Sequence, residues 1–145
     1  MASARSPVAA LLLLIAALSL VAGCGGDSDD AGSSAAAEPF HVIDVDTLAT
    51  QRDELQDLQI LDVRTPEEVA EGTIPGALNI PHVEVEAGST EGLSLDRPIV
   101  AICRSGNRAT IAGEALVAAG ATDVRVVRPG GVGTWRDAGY PITVP

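Results

Sequence analysis

The sequence predicts one α/β domain, a mostly parallel five-stranded sheet with helices on both faces, and three observations carry that expectation. Segments of strand character alternate with segments of helical periodicity. The strand segments Ile60-Leu61-Asp62-Val63 and Ile99-Val100-Ala101-Ile102 are nearly continuous apolar runs, the pattern of strands buried on both sides. The aromatic residues are only Phe40, Trp135 and Tyr140, so the core must rest on Val, Ile, Leu and Ala. In a chain of 145 residues with no internal repeat, this leaves room for one core.

Residues 1–23 read as a targeting segment. Arg5 supplies a positive start, Val8 to Ala22 form an apolar stretch of signal-peptide rather than membrane-spanning length, and small residues precede Cys24. Val21-Ala22-Gly23-Cys24 resembles the lipobox of bacterial lipoprotein signals, which implies cleavage before Cys24 and lipidation of its sulfur. An ordinary secretory signal is the alternative reading. Both place the domain outside the cytoplasm, and the lipid would hold it at the cell envelope, on the extracytoplasmic face of the cell membrane or in the periplasm. Residues 24–39, rich in Gly, Ser, Ala and Asp, have nothing to bury and read as a flexible acidic tether. The folded domain is expected over 40–145.

Within it, His41-Val42-Ile43 reads as a strand and Asp46 to about Leu58 as an amphipathic helix capped by Asp46 or Thr47. Ile60–Val63 is the next strand. Thr65-Pro66-Glu67-Glu68 combines an N-cap, Pro at the first helical position and Glu three after the cap, so a short helix should run to Glu71 and stop at Gly72. Ala77–Ile80 reads as a strand, and Val83–Asp96 as part helix, part loop. Ile99–Ile102 is a buried strand, Cys103–Arg108 a polar loop, Ala109–Ala119 a helix ended by Gly120, and Val124–Val127 the last strand.

The charge balance is 9 basic against 20 acidic residues, and every basic residue is Arg. A polyanion would meet net repulsion, so nucleic acid is not an expected partner. A small anion needs a local cluster of Arg, and Arg104 and Arg108 flank the only cysteine of the folded segment, Cys103. Ligands of open α/β sheets bind beyond the carboxyl ends of strands, and Cys103 falls at that end of Ile99–Ile102. A lone Cys there is commonly an inert small hydrophobe. Arg104-Ser105-Gly106-Asn107-Arg108 suits an anion instead: a permissive Gly, small side chains that leave several N–H groups open to the sulfur, two cations and a following helix N-terminus.

Cys103-Arg104-Ser105-Gly106-Asn107-Arg108 resembles the active-site loop of the rhodanese family of sulfurtransferases. Leu61-Asp62-Val63-Arg64, Gly72-Thr73-Ile74-Pro75-Gly76-Ala77-Leu78-Asn79-Ile80-Pro81 and Gly130-Gly131-Val132-Gly133-Thr134-Trp135 resemble its other landmarks, in family order. The resemblance implies a rhodanese-like fold and a reaction in which Cys103 takes sulfane sulfur from an anionic donor such as thiosulfate and passes it, as a persulfide, to a thiol or protein acceptor. It implies no metal and no organic cofactor. Arg104 would anchor the donor. Arg108 has two readings, facing the anion or turning inward to hold the loop. Asp62 and Arg64 read as a polar pair bracing the loop bed, Trp135 as core, and Gly130-Gly131 as a turn allowing close backbone approach. Thr73 departs from the family pattern, which commonly has His before Ile-Pro-Gly-Ala. Glu67, Glu68 and Glu71 are expected near the pocket mouth, where they oppose anion binding.

A related fold cradles phosphate in a loop one residue longer, but only four residues separate Cys103 from Arg108, which argues against a phosphatase. A rival of another class is a non-catalytic or persulfide-carrying protein-binding module at the cell surface. With no second thiol in the domain, an internal thiol–disulfide cycle is not expected. His41 and His82 lack metal-ligand spacing with Cys103.

Overall fold

The computed structural model describes residues 39–145, so the expected leader, Cys24 and nearly all of the expected tether lie outside the described residues. The elements run β1 (His41–Ile43), α1 (Val45–Glu54), β2 (Gln59–Asp62), α2 (Pro66–Ala70), β3 (Leu78–Asn79), α3 (His82–Glu86), β4 (Ile99–Ile102), α4 (Asn107–Ala118), β5 (Val124–Val127) and α5 (Val132–Asp137). The five strands form one sheet in the order β1-β5-β4-β2-β3. Every pairing is parallel, with Leu61 opposite Ala101 and Ala101 opposite Val126. All strands therefore deliver their carboxyl ends to one edge, with β4 in the middle.

The apolar run of β4 divides its side chains between two cores. Ile99 and Ala101 join Leu61, Val126, Val85, Ala112 and Leu116 on the face covered by α3 and α4. Val100 and Ile102 join Ile60, Leu48, Val132 and Trp135 on the face covered by α1 and α5. Burial on both sides is why these strands lack polar alternation.

Boundaries follow local chemistry. The α2 capping box is present, with the Thr65 hydroxyl accepting from the Glu68 N–H and the Glu68 carboxylate from the Thr65 N–H. For α1 the expectation needs correcting: Asp44, not Asp46 or Thr47, is the cap, accepting the Thr47 N–H at 2.7 Å. That helix also stops at Glu54, because Leu55 is already extended and Leu58 packs on the core as the chain turns into β2. Helix α4 starts two residues before Ala109, at Asn107, so Asn107 and Arg108 belong to its first turn. The 83–96 stretch resolves into the end of α3 followed by turns, with Leu93 and Leu95 against the core. The Gln59 amide fastens that stretch by donating to the Ser94 carbonyl and accepting its N–H, both at 2.8 Å. Helix α5 was not expected, since Gly130, Gly131 and Gly133 mask a turn whose Val132 and Trp135 share one buried face.

Leu61 is fully buried in β2 and lies against α4's core. Leu61→Ala is expected to cost about 3 kcal/mol of unfolding free energy, through lost burial and a cavity. Urea denaturation, with an unchanged m-value, checks this.

Candidate active site

Cys103 immediately follows β4 and is 1% exposed. The Gly106 N–H donates to its Sγ at 3.1 Å. This is one backbone donor on the sulfur among the described residues, where the sequence suggested several. Gly106 is also the N-cap of α4, with φ of 99°. A Cβ there would meet Arg128 Cγ at 3.0 Å and the Val127 carbonyl oxygen at 3.2 Å, so both conformation and space call for glycine.

The loop is gripped from its other side by the start of α5. Val132 donates its N–H to the Cys103 carbonyl at 2.9 Å. A Cβ on Gly131 would lie 2.0 Å from that same oxygen and 2.6 Å from the Arg104 carbonyl carbon. Gly131 has ordinary extended backbone, with φ of 173°, so only the close approach demands glycine. The expected role of this turn is what the geometry shows.

Asp62 and Arg64 form a buried pair at 2.6 Å. The Asp62 carboxylate also accepts the Arg64 N–H at 3.1 Å and the Thr73 hydroxyl at 2.7 Å. Thr73 thus donates to the buried acid, and its backbone bridges Thr143. Arg64 continues to the carbonyls of Glu68 and Gly72, tying the end of β2 to α2. The pair braces α2 rather than touching the Cys103 loop directly.

Arg108 grips Glu68 with two hydrogen bonds, of 2.5 and 2.8 Å. Of its two readings, the inward one is observed. The Arg108 hydrogen bonds hold the Glu68 carboxyl down at about 2, against desolvation, with help from the Thr65 N–H. Glu68 in turn raises the Arg108 guanidinium, with smaller contributions from Cys103 and Asp62. The contact joins α4's first turn to α2, 40 residues apart in the chain.

A cavity of about 440 Å³ opens beside the loop, lined by Arg64, Glu68, Glu71, Arg104, Val132, Gly133 and Arg136. Its position follows from two neighbours of the thiol: Arg104 is next in the chain, and Val132 is bonded to the Cys103 carbonyl. Glu68 and Glu71 line the cavity and Glu67 does not. Arg104, Ser105 and Asn107 are exposed. Sequence reasoning missed Arg128, whose side chain forms the bed under Gly106, and Arg136, which enters the cavity from the unexpected α5.

A parallel α/β sheet with a cysteine in the loop at the carboxyl end of its central strand, followed directly by a helix, defines a small class of proteins. The family model described as Rhodanese-like domain matches residues 44–138, and the chain belongs to that family. It is 36% identical over 103 residues to a protein named sulfurtransferase from Allochromatium vinosum, covering 71% of this chain and 94% of that one. It is 34% identical over 106 residues to the "Putative sulfur carrier protein YrkF" of Bacillus subtilis, covering 73% of this chain and 55% of that one. A rhodanese-related protein of Thermoplasma volcanium superposes with a TM-score of 0.62 at 31% identity, covering 73% of this chain and 100% of that one.

Two outcomes are expected from these contacts. Gly131→Ala should destabilise the fold by about 2 kcal/mol or more, since its methyl must displace the Cys103 peptide, and thermal unfolding reads it. For Glu68, a folded value of about 2 against an ordinary 4.5 means its stabilising contribution is complete above pH 4.5 and is lost as pH falls from 4.5 towards 2. The pair is about a quarter to a third exposed, at 25% and 30%, so the contribution is on the order of 1 kcal/mol. Glu68→Gln should be less stable than the native chain at pH 7, with the gap closing on acidification across that window in urea titrations.

Proposed function

We propose that the chain is a sulfurtransferase with Cys103 as the nucleophile that carries sulfane sulfur. The observation that carries this reading is the Cys103 sulfur at the carboxyl end of β4, accepting the Gly106 N–H in a six-residue loop that ends in the first turn of α4. Family membership and a sulfurtransferase among the relatives support it. The reading assigns donor contacts to Arg104 and the exposed loop residues Ser105 and Asn107, with the Gly106 N–H on the sulfur itself. Arg108, Asp62 and Arg64 act as braces.

In the first step the Cys103 thiolate attacks the outer sulfur of thiosulfate. A sulfur–sulfur bond forms to Cys103, the one within thiosulfate breaks, and sulfite leaves with the electron pair. The persulfide is an anion of the same charge as the thiolate it replaces, so the Gly106 N–H and the helix N-terminus stabilise both. In the second step an acceptor thiolate attacks the outer sulfur and releases the Cys103 thiolate. Cys103 is the sole cysteine among the described residues, so the acceptor comes from outside the domain. The reading includes export and anchoring through a lipid on Cys24, supported by the Val21-Ala22-Gly23-Cys24 order.

The test is to incubate the full-length chain with thiosulfate and look for a gain of one sulfur on the Cys103 peptide that cyanide removes. The native chain should gain it and Cys103→Ser should not. A native chain that keeps a free Cys103 thiol and loads from neither thiosulfate nor other sulfane donors would sink the enzyme reading. A protein-binding module would then be the better account.

A further inference from the structure

The structure assigns to Arg136 a part in the site that neither the loop motif nor the braces supply: with Arg104, it holds the oxyanion end of the sulfur donor from a second element lining the cavity. The inference rests on the sulfurtransfer reading and names a specificity-determining residue within it. Four arginines lie at or beside the cavity, and two are already committed, Arg64 to Asp62 and Arg108 to Glu68. The side chains of Arg104 and Arg136 make no ion pair or hydrogen bond among the described residues, and both residues line the cavity.

They reach it from different elements, Arg104 from the loop after β4 and Arg136 from α5. The two elements are held in register because the start of α5 is bonded to the Cys103 carbonyl, and Arg136 lies one helical turn beyond that bond. The Arg136 guanidinium packs beside Gly72, where a Cβ would lie 3.3 Å from Nη2 and 2.7 Å from Ile142 Cγ2. Charge counting then decides the matter. Glu68 is neutralised by Arg108, but Glu71 remains in the same cavity without an ion pair, on a chain of net charge −11. One free guanidinium would merely cancel Glu71. Two leave the cavity with a net positive site for an anion.

The test uses the full-length chain and two readouts on the Cys103 peptide. For persulfide formation, Arg136→Gln should raise the KM for thiosulfate roughly tenfold while the rate at saturating thiosulfate holds, as expected for loss of a charge-assisted contact to the donor. Arg136→Lys should restore much of the loss, and Glu71→Gln should lower KM below the native value. For alkylation, Arg136→Gln should slow iodoacetate several-fold and leave the uncharged iodoacetamide unchanged. If Arg136→Gln alters neither readout while Arg104→Gln alters both, the assignment is overturned. If alkylation shifts as stated but the native chain never loads sulfur, the anion site stands and the sulfurtransfer reading falls.

Discussion

The carbonyl oxygen of Cys103 accepts the Val132 N–H at 2.9 Å and leaves no space for a side chain at residue 131. This contact couples the loop after the central strand to the last helix, and much else depends on it. Because the Cys103 peptide is pinned on that side, the chain must turn sharply to reach α4, and Gly106 makes the turn with its N–H directed at Sγ. Because α5 is pinned in return, its one cation on the cavity side stands at a defined place relative to the sulfur. A loop held only by its own helix could drift by an ångström, which is enough to spoil a displacement that needs attacking and leaving atoms in line.

The arginines divide into two kinds by what they touch. Arg64 is buried with Asp62 and gives its remaining donors to the carbonyls of Glu68 in α2 and Gly72 just beyond it, so its charge is balanced and serves architecture. Arg108 is likewise balanced at the same helix, through the Glu68 carboxylate. Together they fasten α2 to the carboxyl end of β2 and to α4, so the cavity wall carrying Glu68 and Glu71 is fixed. Replacing Arg108 would leave the Glu68 carboxylate unbalanced in the cavity wall, and replacing Arg64 would leave the Asp62 carboxylate buried without its cation.

Much of this was legible in the sequence, and the exceptions have physical causes. Strands β1, β4 and β5 coincide with their expected limits because β-branched runs bounded by turn residues admit few alternatives. The α2 capping box is a purely local device and reads as such. The start of α4 was misplaced because its N-cap is Gly106, whose left-handed backbone carries no side-chain signature. Helix α5 was hidden since three glycines in four positions suggest a turn, and only the tertiary contact with Cys103 explains Gly131. The partner of Arg108 lies 40 residues away, and no local pattern could select Glu68 over its neighbours Glu67 and Glu71.

The acidic surface and the cationic cavity are compatible because they act over different distances. At physiological salt the screening length is about 8 Å, so charges farther away than that are muted while groups lining the cavity are not. Repulsion from the surface slows the approach of any anion, but occupancy is set by the few charges within reach of the bound molecule. Among those, pairing decides which charges count: Arg64 and Arg108 are balanced, Glu68 is balanced, and Arg104, Arg136 and Glu71 are left. An acidic protein can therefore favour a small anion at Cys103 while repelling polyanions too large to enter the cavity.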